Sequence, residues 1–449
     1  MFIIYILSFG LLALINAYIV FKFKITSYIG LGAFYFLTVL MPSPFIYYKL
    51  GEAYLSYATY NNMIHVLCMT VFFSTFLLFE KIFNNRLVSN RGEFIYRLPA
   101  IGWLKLFSNC CMGIGAASVF SGYILAEHSL IDVIVSNIAE VYVSEKSAFG
   151  GFLDQGLVLF NIGVVFRIVL SDRFSSKILF ILLLTLFHMA FSFSRGGLLP
   201  VLILFFILQK LISHSRGNGE KSNRARVLFF GIFIFVAAAV AGGVATIKRA
   251  AEGAYVLDSN TVVASFISRL EDRFTDENNS LYVGYGNILY RTTFEDISLK
   301  KGDVISYSFF SNIPKFIYKD KPVHPMRGTN YFVYTDRPSV NPLDVSAFGL
   351  VGSAYYDFGL ASGIFYLVLF SLFLNISVLL LRRLKYNFVF YIGLLCFDGP
   401  QNFIHAGIIS VVGNVIYTVL FISVAILAVD IVRMFSSLKR LVMKRAVYA

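Results

Sequence analysis

The chain has 449 residues, of which 58% are hydrophobic and only 14% charged, with a mean hydropathy of +0.74. That balance excludes a soluble globular protein and predicts an all-α polytopic membrane protein, because apolar runs of span length must satisfy their backbone hydrogen bonds within themselves. The net charge of +13 would suggest a nucleic-acid partner in a soluble chain. Here topology explains much of it, and no nucleic acid is expected.

In chain order, apolar runs predict about eleven transmembrane helices near 2–21, 26–43, 61–79, 103–125, 152–170, 178–194, 196–212, 227–247, 358–381, 386–405 and 407–430. The first lacks a basic leading region and a small-residue cleavage site, so it reads as a retained span rather than a signal peptide. Alternate loops collect bases: Lys22 and Lys24; Lys81 to Arg97; Arg173 and Lys177; Arg216 to Arg226; Arg382 to Lys385; and the tail from Arg433 to Arg445. The positive-inside rule makes these loops cytoplasmic, so the C-terminus lies inside and the long 248–344 insertion lies outside. Three segments follow: an N-terminal bundle of about eight spans (1–247), a loop or lid domain (248–345), and a C-terminal bundle of about three spans with a basic tail (346–449). The cysteines Cys68, Cys110, Cys111 and Cys396 sit in or beside apolar runs without metal-ligand or disulfide spacing, and read as packing residues.

The insertion is polar and roughly neutral, since its bases alternate with acids. Val262, Val263, Phe266, Ile267, Leu270 and Phe274 recur at helical spacing behind Ser259 and Asn260 as candidate caps. A second helical piece is expected from Asn279 to Tyr290. Beyond Asp303, prolines 314, 322, 325, 338 and 342 are expected to interrupt regular structure. The insertion therefore reads as a lid of short amphipathic helices followed by a constrained loop.

Four constellations could carry chemistry. Arg195 stands in Phe193-Ser194-Arg195-Gly196-Gly197, between two apolar segments of about 17 residues. At ~1.5 Å per residue each spans roughly 25 Å, less than the ~30 Å hydrocarbon core, so the turn should be recessed. A recessed guanidinium beside two glycines suits a phosphate; the plain alternative is an arginine snorkelling to headgroups. Lys248-Arg249 closes the span that enters the lid, where bases also simply complement a helix dipole. Arg269 and Arg273, one turn apart, could grip one anion or pair with Glu271, Asp272 or Asp276. Between Ile313 and Arg327, the bases Lys315, Lys319, Lys321 and Arg327 mix with Tyr318 and His324. Aromatic faces suit pyranose rings, bases suit phosphate, and His324 is a candidate general base or merely a hydrogen-bonded surface imidazole. Tyr282, Tyr285, Tyr290, Tyr331 and Tyr334 could add stacking or form an interfacial belt. Asp398, Gln401, Asn402 and His405 make one polar stripe at helical spacing, either functional or joining helices.

The sequence contains no DxD, P-loop, HExxH or GxSxG motif. An enzyme here would work without nucleotide, metal or cofactor, on a donor already activated as a lipid pyrophosphate. The protein need then only hold the donor, orient an acceptor hydroxyl and supply a base.

Ser194-Arg195-Gly196 at a short hairpin turn, Lys248-Arg249 before a large loop, Ile313-Pro314 to Lys321-Pro322, and Tyr355-Tyr356-Asp357-Phe358-Gly359 at the next span resemble the Wzy-type O-antigen or oligosaccharide repeat-unit polymerases. The likeness covers 178–381 by motif and the remainder by topology. It implies a bacterial inner-membrane, metal-independent enzyme of glycosyltransferase-C-like architecture, with its large loop in the periplasm. It would transfer a growing glycan from undecaprenyl pyrophosphate to the non-reducing end of a new lipid-linked repeat unit. It also implies a Wzz-type chain-length co-polymerase as partner, with Arg195, Arg249 and the lid arginines on pyrophosphate. Two alternatives stay open: an O-antigen ligase with a lipid A core acceptor, and a lipid-linked oligosaccharide flippase or other transporter.

Overall fold

The computed structural model describes residues 2–24, 27–45, 52–83, 98–125, 150–191, 199–215, 224–250, 298–310, 349–397 and 408–447, together with 263, 264, 267, 289, 292–294, 318 and 325. Every regular element among them is a helix: α1 (Phe2–Phe23), α2 (Tyr28–Leu40), α3 (Glu52–Ile82), α4 (Ile101–Leu125), α5 (Gly150–Leu170), α6 (Phe174–Phe191), α7 (Leu199–Ser215), α8 (Arg224–Ala250), α9 (Asp303–Phe310), α10 (Gly349–Arg383), α11 (Asn387–Cys396) and α12 (Ile408–Val447).

Eight of the described helices are long and apolar enough to cross a membrane, and three shorter apolar helices fall at 155–170, 201–212 and 387–396. Large apolar side chains project outward from these helices, as at Leu14 (68% exposed), Phe21 (85%) and Leu186 (64%). Water would not support so much outward hydrocarbon, whereas lipid does. The protein is thus an all-α, multi-pass membrane protein. The terminal basic stretch lies on a continuation of α12, which runs unbroken to Val447.

The chain packs as two compact units. The first comprises Met1–Tyr96, Ser268–Asn387 and Asp398–Val415. In it α1 packs on α2 and α3, and α3 packs on α10. Apolar burial inside a bilayer gives no drive for helices to associate, so small polar contacts and ring packing hold them. Asn62 on α3 donates to Ser8 Oγ on α1 at 3.2 Å, Thr75 meets Ser371 on α10 at 3.0 Å, and Asn375 Nδ2 donates to the Phe76 carbonyl at 3.3 Å. The stacked rings of Phe72 and Phe370 lie 6.1 Å apart beside them.

The second unit comprises Arg97–Ile267, Phe388–Phe397 and Ile416–Ala449. Its tightest seam joins α4 and α5 through Gly115, Gly156 and Gly163. A methyl at Gly115 would come within 2.6 Å of backbone atoms of Gly156 and Phe160, and one at Gly163 within 2.8 Å of Ser108 and Met112. Ser108 Oγ donates to the Gly163 carbonyl at 2.6 Å across the same seam. Next to it His188 on α6 bonds Asn161 on α5 at 2.8 Å, under the stacked pair Phe160–Phe187. Arg167 lies within α5, where its Nε donates to Asn109 Oδ1 on α4 at 2.9 Å.

The lid reading meets the structure at a few places. Val263, Ala264 and Ile267 are helical, as is Leu289, which is buried. The prolines expected to interrupt regular structure beyond Asp303 leave room for one helix, α9. It fits inside the proline-free stretch before Pro314, and its cap comes from a distant residue that no local pattern signals.

Candidate functional site

The described residues converge at the head of α10, where Tyr355-Tyr356-Asp357-Phe358-Gly359 holds two pieces of the preceding insertion, both within the first unit. Asp357 is 2% exposed and lies within a span-length apolar helix, where a bare carboxylate would be very costly. It is satisfied from outside its own helix. Its Oδ1 accepts from the backbone N–H groups of Gly302 (2.8 Å) and Val304 (3.2 Å), and its Oδ2 accepts from Ile305 (3.1 Å). These are donors that a helix start leaves orphaned, and the positive end of the α9 dipole faces the same charge.

Two backbone bonds tighten the junction: Lys300 N–H donates to the Tyr356 carbonyl at 3.1 Å and Lys301 N–H to the Asp357 carbonyl at 2.7 Å. Lys301 and Gly302 take left-handed backbone angles to make that approach. On the other side Gly359 breaks α10 with φ 75° and ψ −175°, a region essentially restricted to glycine. Its missing side chain faces Leu299, 3.3 Å from where a Cβ would stand. Tyr356, Asp357 and Gly359 therefore clamp the 299–305 segment to a kinked spanning helix.

One turn earlier, Tyr355 gathers a hydroxyl cluster. Its phenol bonds Thr293, and Tyr60 of α3 bonds Thr293 at 2.9 Å and Tyr355 at 3.3 Å. Phe294, exposed, meets Tyr60 edge-on with ring centroids 5.3 Å apart. Hydroxyls beside an exposed ring are groups that sugars can use. Below the kink, α9 and α10 enclose an apolar cavity of about 510 Å³ whose walls include Ile305, Phe309, Phe358 and Phe365.

Of the residues singled out in the sequence, Lys248 and Arg249 fall in the last turn of α8, as a span ending in two bases predicts. Tyr318 is partly exposed and packs on Phe310 at the end of α9, with ring centroids 5.8 Å apart. Arg195 lies between α6 (18 residues) and α7 (17 residues), two helices as short as the hairpin reading expects. Arg195 itself, Arg269, Arg273, Lys315, Lys319, Lys321, His324, Arg327 and the Asp398-to-His405 stripe lie outside the described residues. The four cysteines are free thiols on α3, α4 and α11. Among the described residues no three His, Cys, Asp or Glu side chains gather closely enough to hold a metal ion.

The sequence reading missed Tyr60, Thr293 and the capping role of Asp357. Only an acid inside an apolar span hinted at the last. No family model, no curated protein and no solved structure matches the chain.

Proposed function

We propose that the protein polymerises lipid-pyrophosphate-linked oligosaccharide repeat units of a bacterial surface polysaccharide such as O-antigen. The growing glycan passes en bloc from its undecaprenyl pyrophosphate to the non-reducing end of a new lipid-linked unit, on the periplasmic face of the inner membrane. The observation that carries this reading is the junction at Tyr355–Gly359. The motif that supplies part of the family resemblance is also the segment that fastens the insertion to a membrane-spanning helix. A polymerase of this kind needs that arrangement, with a polar cover over the place where a lipid-borne head emerges from hydrocarbon.

In the mechanism the donor pyrophosphate is the leaving group. Arg195, Arg249 and the lid arginines Arg269 and Arg273, with Lys248, bind its oxygens and spread the charge that develops as the glycosidic C–O bond breaks. His324 takes the proton of the acceptor hydroxyl as that oxygen attacks the anomeric carbon. Tyr318, Lys319, Lys321 and Arg327 orient sugar and phosphate, and a Wzz-type co-polymerase sets chain length.

Gene loss tests this against its nearest rivals. A strain lacking the protein is expected to carry lipid A core capped with single repeat units. Bare core would instead indicate a ligase, and lipid-linked units stranded on the cytoplasmic face a flippase.

A further inference from the structure

We propose that the cavity between α9 and the kinked part of α10 is a slot for the isoprenoid chain of the lipid carrier, entered from the bilayer, with Lys300 and Lys301 at the end where its phosphate lies. The proposal rests on the polymerase reading and adds to it the place where the carrier's tail binds.

The cavity of about 510 Å³ is in the size range of roughly 300–1,000 Å³ that small-molecule sites occupy. One wall is Ile305 and Phe309 of α9, and the other is Phe358, Phe365 and Leu369 of α10, with Ser362 the small residue between them. Phe365 (64% exposed) and Leu369 (46%) are open on the outer side of a helix long and apolar enough to span a membrane. The medium at that opening is therefore hydrocarbon rather than water.

The void is built into the fold. Gly359 turns the helix axis beside it, and the three backbone hydrogen bonds to Asp357 hold the start of α9 against α10. Ring side chains with two torsions hold the walls stiffly. On the polymerase reading the apolar occupant is the carrier's polyisoprenoid, whose methyl-branched units can pack against the ring-lined walls.

Charge fixes the polarity of the occupant. Gly302 lies 3.8 Å, measured from the position a Cβ would take, from the Phe358 ring that lines the cavity. Lys301 is its neighbour and exposed, and the Lys300 ammonium sits 5.7 Å from the centre of the Tyr356 ring. Among the described residues of this junction, Asp357 is already compensated by its three N–H donors and Asp303 is exposed. Two lysines on the segment that leads directly into α9, one wall of the apolar slot, suit an anionic head on a long hydrocarbon tail.

The test is competitive binding, read by native mass spectrometry on the purified full chain, with undecaprenyl phosphate, geranyl phosphate and phosphatidylglycerol as probes. The expected result is saturable binding of undecaprenyl phosphate, with geranyl phosphate and phosphatidylglycerol weaker. Ser362→Trp, which fills the slot, should weaken undecaprenyl phosphate roughly tenfold, the equivalent of only about two buried methylene groups. Should that variant fail to fold, Ser362→Cys replaces it. Its labelling by a maleimide, mapped to that peptide, should slow when undecaprenyl phosphate is added and not when phosphatidylglycerol is. Unchanged undecaprenyl phosphate binding by a monodisperse Ser362→Trp, or equal competition by phosphatidylglycerol, would overturn the proposal and leave an ordinary bilayer contact. Glycan synthesis by the parent protein with a Ser362→Trp that still binds normally sinks the slot alone. Loss of binding in Ser362→Trp without any synthesis by the parent sinks the polymerase reading alone.

Discussion

At the scale of single residues, Asp357 carries the largest consequence. Replacing it by alanine removes the acceptor of three N–H groups, one buried and two part-buried. Hydrogen bonds to a charged group contribute about 1.5–3 kcal/mol apiece, not additively. Asp357→Ala is therefore expected to destabilise the first unit by about 3 kcal/mol and to speed proteolysis in 298–310. Asp357→Asn, which keeps one acceptor oxygen, should fall between. Wild-type cleavage rates in the alanine variant would show that the clamp does not hold the segment. Arg195→Ala is expected to abolish long glycan chains while the protein still reaches the membrane. Arg195→Lys should also impair, because a point charge does not reproduce a two-pronged contact with phosphate. Normal chain length on gels of surface polysaccharide would remove Arg195 from the site. Asp357 shows how little of this scale local sequence reveals: its partners stand more than fifty positions earlier in the chain, and no periodicity links them. The short helices on either side of Arg195, by contrast, were legible, because two short apolar runs are conspicuous without any tertiary knowledge.

Among the elements, two glycines make separable predictions. Gly359→Ala forces a side chain into a backbone region that costs about 1–3 kcal/mol, and the new methyl would press on Leu299. Straightening of α10 is the expected relief, so this variant should lose glycan synthesis with a modest fall in melting temperature. Gly115→Leu acts elsewhere. It drives atoms into the α5 backbone and should lower stability by about 1–3 kcal/mol or more, read as a melting-temperature drop of the detergent-solubilised protein. An unaltered melting temperature would mean that the α4–α5 seam is looser than its close approach suggests. The long helices were readable because length and apolarity suffice to specify a span. The starts were less so: α3 begins at Glu52 and α10 at Gly349, each about nine residues ahead of the apolar run, since the small and polar residues of these first turns dilute the hydropathy that marks a span. Helix α9 was missed because eight residues give almost no periodic signal, and its cap lies on another helix.

For the whole molecule, many outward-facing apolar side chains and small polar bridges between helices describe a protein built to sit in lipid. The proposed function asks this body to hold two lipid-linked substrates under a polar cover, with their heads in water and their tails in hydrocarbon. The cavity beside the kink and the clamp on α9 lie within one compact unit, with Lys300 and Lys301 on the segment that enters α9, and this supports the proposal. Purified full-length protein, incubated with lipid-linked repeat units and nothing else, measures the claim directly. The account predicts a ladder of products rising in steps of one repeat unit, with release of undecaprenyl pyrophosphate. Active, folded protein that leaves the single repeat units unchanged would contradict it.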